Sequence, residues 1–397
     1  MKMFKKHVLF VLILAGTMVM ASAQDSTGYH FTTIKSLKAT PVKNQYKTGT
    51  CWSFSSISFL ESELIRKGAG EYNLSEMFVV RNAYEKKADK YVRMHGTISF
   101  SGGGALNDLL DVWKNSGIVP ESAYPGLNYG TTMHNHGEMD GVLKAYVDVL
   151  VKRDKLTTAW KNGFDGILDA YLGKYPANFT YKGKEYTPES FAASLDINPD
   201  DYVLISSYSN HPFYNKFIIE VPDNWSWGEA WNVPIDEMGE IIDNSINNGY
   251  TVAWAADVSD RGFSWKNGVA IVPAEQQTED ITGTEREKWD KLSKREKLAQ
   301  LYNFSSPIKQ KTITQEMRQE AFNDYETTDD HGMHITGIAN DQLGQEYYLV
   351  KNSWGTTGSP YNGYLYASKA FVLYKTTSIM VNKNAIPKEI AKKLGIK

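Results

Sequence analysis

A single cysteine, Cys51, stands in the run Gln45-Tyr46-Lys47-Thr48-Gly49-Thr50-Cys51-Trp52-Ser53-Phe54. A thiol is a useful nucleophile only as thiolate, and a helix N-terminus favours that anion through its unpaired N–H groups and its macrodipole. The spacing of Phe54, Ile57, Leu60, Leu64 and Ile65 predicts a helix from Cys51 to about Lys67, stopped by Gly68. Cys51 therefore falls at its head. Gly49 allows the backbone to approach tightly just before it. Gln45, six residues upstream, is close enough to return its amide N–H2 toward the same spot. That amide and the Cys51 backbone N–H would make a two-donor oxyanion hole for a tetrahedral intermediate. A cysteine opening a helix is also an ordinary small buried hydrophobe. The chemical reading needs a base, held by a third group. Asp330-His331-Gly332-Met333-His334 offers two imidazoles, and Tyr347-Tyr348-Leu349-Val350-Lys351-Asn352-Ser353-Trp354-Gly355 follows.

The elements that must position these groups change character along the chain. An extended lead runs from Tyr29 to Val42. Further helices are expected at Leu106–Asn115, at about Tyr146–Tyr175, at Asp236–Asn248 and, charged and amphipathic, at Glu285–Asn303. Ile335–Ala339, Glu346–Lys351 and Gly363–Ala367 read as short strands bounded by turn residues. A small basic helix closes the chain from about Pro387. Helices first and strands later predict an α+β protein.

The first 23 residues carry a different message. Lys2, Lys5 and Lys6 precede an apolar run from His7 to Met20, and Ala21-Ser22-Ala23 then supplies a small-residue cleavage site. This pattern predicts a secretory signal peptide over 1–23 and an exported, soluble mature chain, periplasmic or secreted, over 24–397. The run is shorter than the roughly 20 residues a spanning helix needs, so no stable membrane insertion is expected. The 43 basic and 46 acidic side chains give a net charge of −3. Removing the three leader lysines takes it to −6, which offers nucleic acid no bulk attraction. His, Asp and Glu do not cluster at zinc spacing, and the glycine loop Gly102–Gly104 lacks the Lys and Ser/Thr of a phosphate-cradling loop. Neither a metal nor an organic cofactor is expected.

The string around Cys51 (Gln, three residues, Gly, one residue, Cys-Trp, one residue, Phe) resembles the nucleophile motif of the papain-like cysteine peptidases. Asn352-Ser353-Trp354-Gly355 resembles the same family's Asn-Ser-Trp-Gly motif. That resemblance implies that Asn352 hydrogen-bonds the imidazole and that Trp354 shields the bond from water. The family's histidine is followed by a small residue, with another small residue six positions on. His331, with Gly332 and Gly337, fits this better than His334 does. Residues three apart on a strand face opposite ways, so His331 is assigned as the base and His334 as a structural strand residue. Asn73-Leu74-Ser75-Glu76 and the glycines before Gly117-Ile118-Val119-Pro120 fit the family as well. By resemblance, Gly103 and Gly104 line the substrate cleft with bare backbone. The implied fold is papain-like and two-lobed, with a helical lobe carrying the cysteine and a β-barrel-like lobe carrying His331 and Asn352. The implied activity is peptide hydrolysis through a Cys-His-Asn triad and a thioester.

Cys51 and His331 stand 280 positions apart, against roughly 130–150 in papain and the cathepsins. The extra length, placed as mainly helical insertions over about 127–325, resembles bleomycin hydrolase and the bacterial aminopeptidases C. Members of that branch form hexameric rings, so a homo-oligomer is in keeping with it. They also end in an arm that lies in the cleft, whose carboxylate receives the substrate's amino group. Lys388-Glu389-Ile390-Ala391-Lys392-Lys393-Leu394 looks too short and too basic to copy that arm. An open-cleft endopeptidase is therefore the alternative to an aminopeptidase. A catalytically silent papain-like binding protein would lack one of Gln45, Cys51, His331 or Asn352, and all four are present.

Overall fold

The computed structural model describes residues 28–274 and 283–396, without the side chains of 283–285. The leader expected over 1–23 lies outside these residues. The chain begins with β1 (Phe31–Ser36), α1 (Cys51–Arg66), α2 (Glu76–Arg93) and α3 (Asn107–Ser116). Then come α4 (Gly137–Leu150), α5 (Ala159–Leu172), the hairpin β2 (Phe179–Tyr181) and β3 (Lys184–Tyr186), and α6 (Pro188–Ser194). Next are β4 (Tyr202–Ser206), β5 (Lys216–Ile218), β6 (Glu229–Asn232), α7 (Ile235–Asn247), β7 (Val252–Ala256), β8 (Phe263–Ser264) and β9 (Val269–Ala270). The last stretch holds α8 (Gly283–Lys291), α9 (Lys294–Leu301), α10 (Gln315–Asn323), β10 (His331–Asp341), β11 (Glu346–Lys351) and β12 (Tyr364–Ser368). It ends with α11 (Lys369–Lys375), β13 (Thr376–Asn382) and α12 (Lys388–Leu394).

The helix α1 lies between the two parts of the molecule, touching α2 and α3 on one side and β7 and β10 on the other. Every residue from Trp52 to Leu64 is buried, so the helix has no polar face to give to water. Its serines make that tolerable. They are small, and their hydroxyls find local partners: Ser55 and Ser56 donate to Trp52 O (3.1 and 2.6 Å), and Ser53 donates to Glu76 O (3.0 Å). Glu61, also buried, accepts from the Leu74 N–H (2.8 Å) and from Thr40 Oγ1 (2.5 Å). A buried carboxylate is costly unless hydrogen-bonded, and these bonds tie the helix to the segment before it, through Thr40, and to the loop that leads into α2, through Leu74.

Apart from the hairpin β2–β3, the strands of the described residues form one open sheet in the order β5-β6-β4-β13-β7-β10-β11-β12-β9-β8, and β1 also pairs with β10. It does not close into a barrel. The first half of β10 pairs with β7 (His331 opposite Ala256, Ile335 opposite Val252), and the second half pairs with β1 (Phe31 opposite Asp341). The changeover falls at Gly337, where a Cβ would overlap Lys35 O. The insertion is mainly helical, carrying α4 to α10, but it is not helical alone. It also supplies the hairpin β2–β3 and the strands β4 to β9, and β4 and β7 are interior strands of the large sheet.

Other expectations need correction. The single helix expected over Tyr146–Tyr175 is two, α4 and α5, which pack on each other. Glu285–Asn303 is likewise two helices, because Ser293 and Glu296 form a capping box that starts α9. The 18-residue helix α2 was not anticipated. Ser75 caps it by accepting from the Phe78 N–H (3.0 Å). The C-terminal helix α12 packs Ile390 and Leu394 into the sheet-side core.

Candidate active site

Cys51 is the first residue of α1, following Thr50, which gives no side-chain cap. Thr50 O instead accepts from the Ser53 and Phe54 N–H groups (3.0 and 3.3 Å). The helix start is held by its own backbone, and its first amides stay turned toward Cys51. Gly332, the second residue of β10, abuts this start. A Cβ on Gly332 would lie 2.6 Å from Ser55 Oγ and 3.2 Å from both Cys51 O and Trp52 Cα. Only glycine lets strand and helix come so close. Burial pushes the Cys51 thiol up to about 12, and the carboxylates of Asp329 and Asp223 push the same way. Hydrogen bonds from the Gly332 and Trp52 backbones act against them.

β11 ends at Lys351 opposite His334, so the chain leaving it at Asn352 runs beside the start of β10. His331 Nε2 and Asn352 Oδ1 are 2.7 Å apart. An amide oxygen is acceptor only, so Nε2 carries the proton and Nδ1 is the free nitrogen. The Trp354 ring lies over the imidazole, with centroids 4.7 Å apart. Phe263 and Trp265 pack edge-on against Trp354 in turn (5.9 and 5.4 Å). Burial lowers His331 to about 4, although the bond to Asn352 and the charge of Asp330 favour the imidazolium. His334 faces the other way. Its Nδ1 is 2.9 Å from Ser58 Oγ, behind α1, and its ring packs edge-on against Phe59 (6.2 Å).

The Gln45 amide is fixed at both ends. Nε2 donates to Thr48 O (2.8 Å) and Oε1 accepts from Ser353 Oγ (2.6 Å). Gln45 N also donates to Ser353 O (2.8 Å), and Gly355 N donates to Lys43 O (3.1 Å). The loop running into Cys51 and the loop carrying Asn352 and Trp354 are thus one tied unit. The amide nitrogen points into the loop before Cys51 and keeps a second hydrogen beyond the bond to Thr48.

The glycine wall closes the opposite side. Trp52 Nε1 donates to Gly102 O (3.1 Å), and Gly49 meets Gly102 backbone to backbone, where a Cβ would come within 3.2 Å. A Cβ on Gly104 would press on Asp108 Oδ2 (2.7 Å) and the Trp52 ring (2.8 Å). One cavity is lined by Cys51, His331 and Gly104, with Asp223, Asp329 and Ser378 contributed by distant segments. Gly103 is not on the lining. Asp223 covers it.

The structure therefore gathers Cys51, His331 and Gly104 on one cavity, and holds Asn352, Trp354 and Gln45 immediately behind it. Sequence reading missed Asp223, Asp329, Trp265 and Ser378. Asp329 had a signal, since it precedes Asp330 and His331 directly. Trp265 and Asp223 had none, for each reaches the site from the insertion.

The "Papain family cysteine protease" profile matches residues 30–233, and a "Peptidase C1-like family" profile matches residues 298–396. Aminopeptidase C of Lactobacillus helveticus is 21% identical over 393 residues, covering 88% of this chain and 81% of the relative. Cysteine proteinase 1, mitochondrial, of Saccharomyces cerevisiae (strain YJM789) is 21% identical over 412 residues, covering 91% and 79%. The crystal structure of PepW from Lactobacillus rhamnosis superposes with a TM-score of 0.68 at 20% identity, covering 92% of this chain and 84% of that one. That likeness is one of fold.

Proposed function

The chain belongs to the papain family of cysteine proteases, and from that membership we propose that it is an aminopeptidase working through Cys51, His331 and Asn352. The observation that carries the reading is the 2.7 Å contact between His331 Nε2 and Asn352 Oδ1, roofed by Trp354, on a strand pressed against the start of α1. With Nε2–H donated to Asn352, Nδ1 is the atom that takes the proton of Cys51 Sγ. Burial penalises either charge alone, lifting the thiol and lowering the imidazole. A proton moved from Sγ to Nδ1 creates both charges together, and at short range they attract strongly in a low-dielectric site.

The thiolate attacks the scissile carbonyl carbon. The new oxyanion takes hydrogen bonds from the Cys51 N–H and the free Gln45 Nε2–H. His331 then gives its proton to the leaving amine, leaving a thioester on Cys51. Water, activated by the same imidazole, hydrolyses it and restores the thiol. The aminopeptidase relative spanning most of the chain supports a substrate with a free N-terminus.

A thiol-directed epoxide tests the reading. It is expected to inactivate the protein one for one, with an acid limb near pH 4, below which His331 is protonated and cannot accept the thiol proton. Asn352→Ala, which frees the imidazole to turn, is expected to slow inactivation by about tenfold or more. Inactivation no faster than that of a free thiol, or unchanged in Asn352→Ala, would count against the triad.

A further inference from the structure

What limits the substrate on the acyl side of the cut follows from the loop 221–228, between β5 and β6, which lies across the glycine wall. The inference rests on the reading above. The loop is pinned in place. Trp225 Nε1 donates to Asp108 Oδ2 (2.8 Å), Ser226 Oγ donates to Asp108 Oδ1 (3.0 Å), and Asn107 Nδ2 donates to Ser226 Oγ (2.9 Å). Asn224 closes the loop on itself, accepting from the Gly228 N–H (2.8 Å) and donating to Gly228 O (3.0 Å). A Cβ on Gly103 would overlap the Asp223 carboxylate, and one on Gly228 would come within 2.5 Å of the Asn107 amide. Both glycines are needed for the loop to sit there. The stretch of bare backbone that an extended peptide would pair with is already covered.

Asp223, half-buried, lines the cavity that holds Cys51 and His331. The carboxylates nearby each have a partner. Asp108 holds the loop, Asp329 accepts from Thr377 Oγ1 (3.0 Å), and Asp330 accepts from the Ser259 N–H (3.0 Å) and Thr328 Oγ1 (2.9 Å). Asp223 takes a hydrogen bond from the Ser101 hydroxyl and feels, from behind the wall, the charge of Lys87, whose ammonium donates to Ser101 O (2.8 Å) and Gly103 O; one such bond leaves other carboxylate lone pairs open. Asn107 lines the same cavity and is only 8% exposed, yet its Oδ1 has no hydrogen-bond partner among the described residues. A carboxylate with free lone pairs and an amide oxygen without a donor suit a cationic ligand rich in N–H groups. A peptide's own α-ammonium is such a ligand.

We propose that Asp223, seated on Gly103, receives the substrate's α-ammonium group, so that the pinned loop confines cleavage to the free ends of chains. A side-chain carboxylate of the insertion thereby sets the specificity. The C-terminal helix α12 takes no part, since it packs into the sheet-side core and none of its residues lines the cavity.

The test reads binding rather than turnover, using full-length Cys51→Ala protein. Calorimetry compares a dipeptide amide without basic side chains, its amino group free, with its N-acetyl twin. The free amine is expected to bind at least about tenfold more tightly, in keeping with a charge-assisted hydrogen bond. Adding Asp223→Asn should reduce that advantage to about twofold or less. If Asp223→Asn did not fold, Asp223→Ala removes the same carboxylate and gives the same comparison. Equal affinity for the two ligands, binding of neither, or an advantage that survives loss of the carboxylate overturns the proposal. Because no hydrolysis is measured, such a failure leaves the Cys51 chemistry standing. Conversely, an inactive Cys51 would leave this result to be judged alone.

Discussion

Cys51→Ala is expected to lower kcat/KM for an aminoacyl amide by about 10⁴-fold or more, because removing the nucleophile of a catalytic unit removes nearly all that the unit does. The change is small in every other respect. It deletes one sulfur atom at the first position of α1 and leaves the helix start, which Thr50 O holds through the Ser53 and Phe54 N–H groups, untouched. Stability is therefore expected to stay within about 1 kcal/mol of wild type. Cys51 is the only cysteine, so no second thiol can substitute. Initial rates at low substrate, with thermal melts run in parallel, check both halves. A variant keeping more than about a hundredth of the activity would place the chemistry elsewhere.

The two histidines should separate just as sharply. His331→Ala removes the proton acceptor and is expected to cost about 10³-fold in kcat/KM, with little change in melting temperature. His334→Ala should do the opposite. Its imidazole is buried against Phe59 and meets Ser58 Oγ, which also accepts from Lys351 Nζ (2.7 Å). Truncation leaves a cavity and disturbs a buried polar chain, at a cost of about 2–4 kcal/mol. Activity per folded molecule should remain within about tenfold of wild type. Kinetics and urea unfolding on the same two variants decide between the histidines, and the reverse pattern would exchange their roles.

Local strings carried most of what could be read beforehand. The start of α1 at Cys51 followed from apolar spacing, and β11 came out at Glu346–Lys351 because a run of β-forming residues ends at turn formers on both sides. The opposite facing of His331 and His334 followed from strand geometry alone. Where reading failed, the cause was physical. In α2, Met77 to Val80 are all buried in succession, and Arg81 and Lys87 are buried too, so no helical stripe stands out. The segment 151–158 holds neither glycine nor proline to mark the break between α4 and α5. The alternative of an open cleft rested on the composition of the tail and took no account of Asp223, which covers Gly103 from 120 positions further on. Contacts of that kind arise from tertiary packing and leave no local trace. Trp265 against Trp354 is another.

The central claim is a covalent one, and it can be caught. Mixing the protein with excess aminoacyl ester, quenching in acid within the steady state and taking an intact mass should show a fraction of chains heavier by one acyl group. Peptide mapping should place that group on Cys51, and neutral hydroxylamine should remove it as it would a thioester. Rapid hydrolysis with no acyl adduct under these conditions, or an adduct on any other residue, would contradict the account.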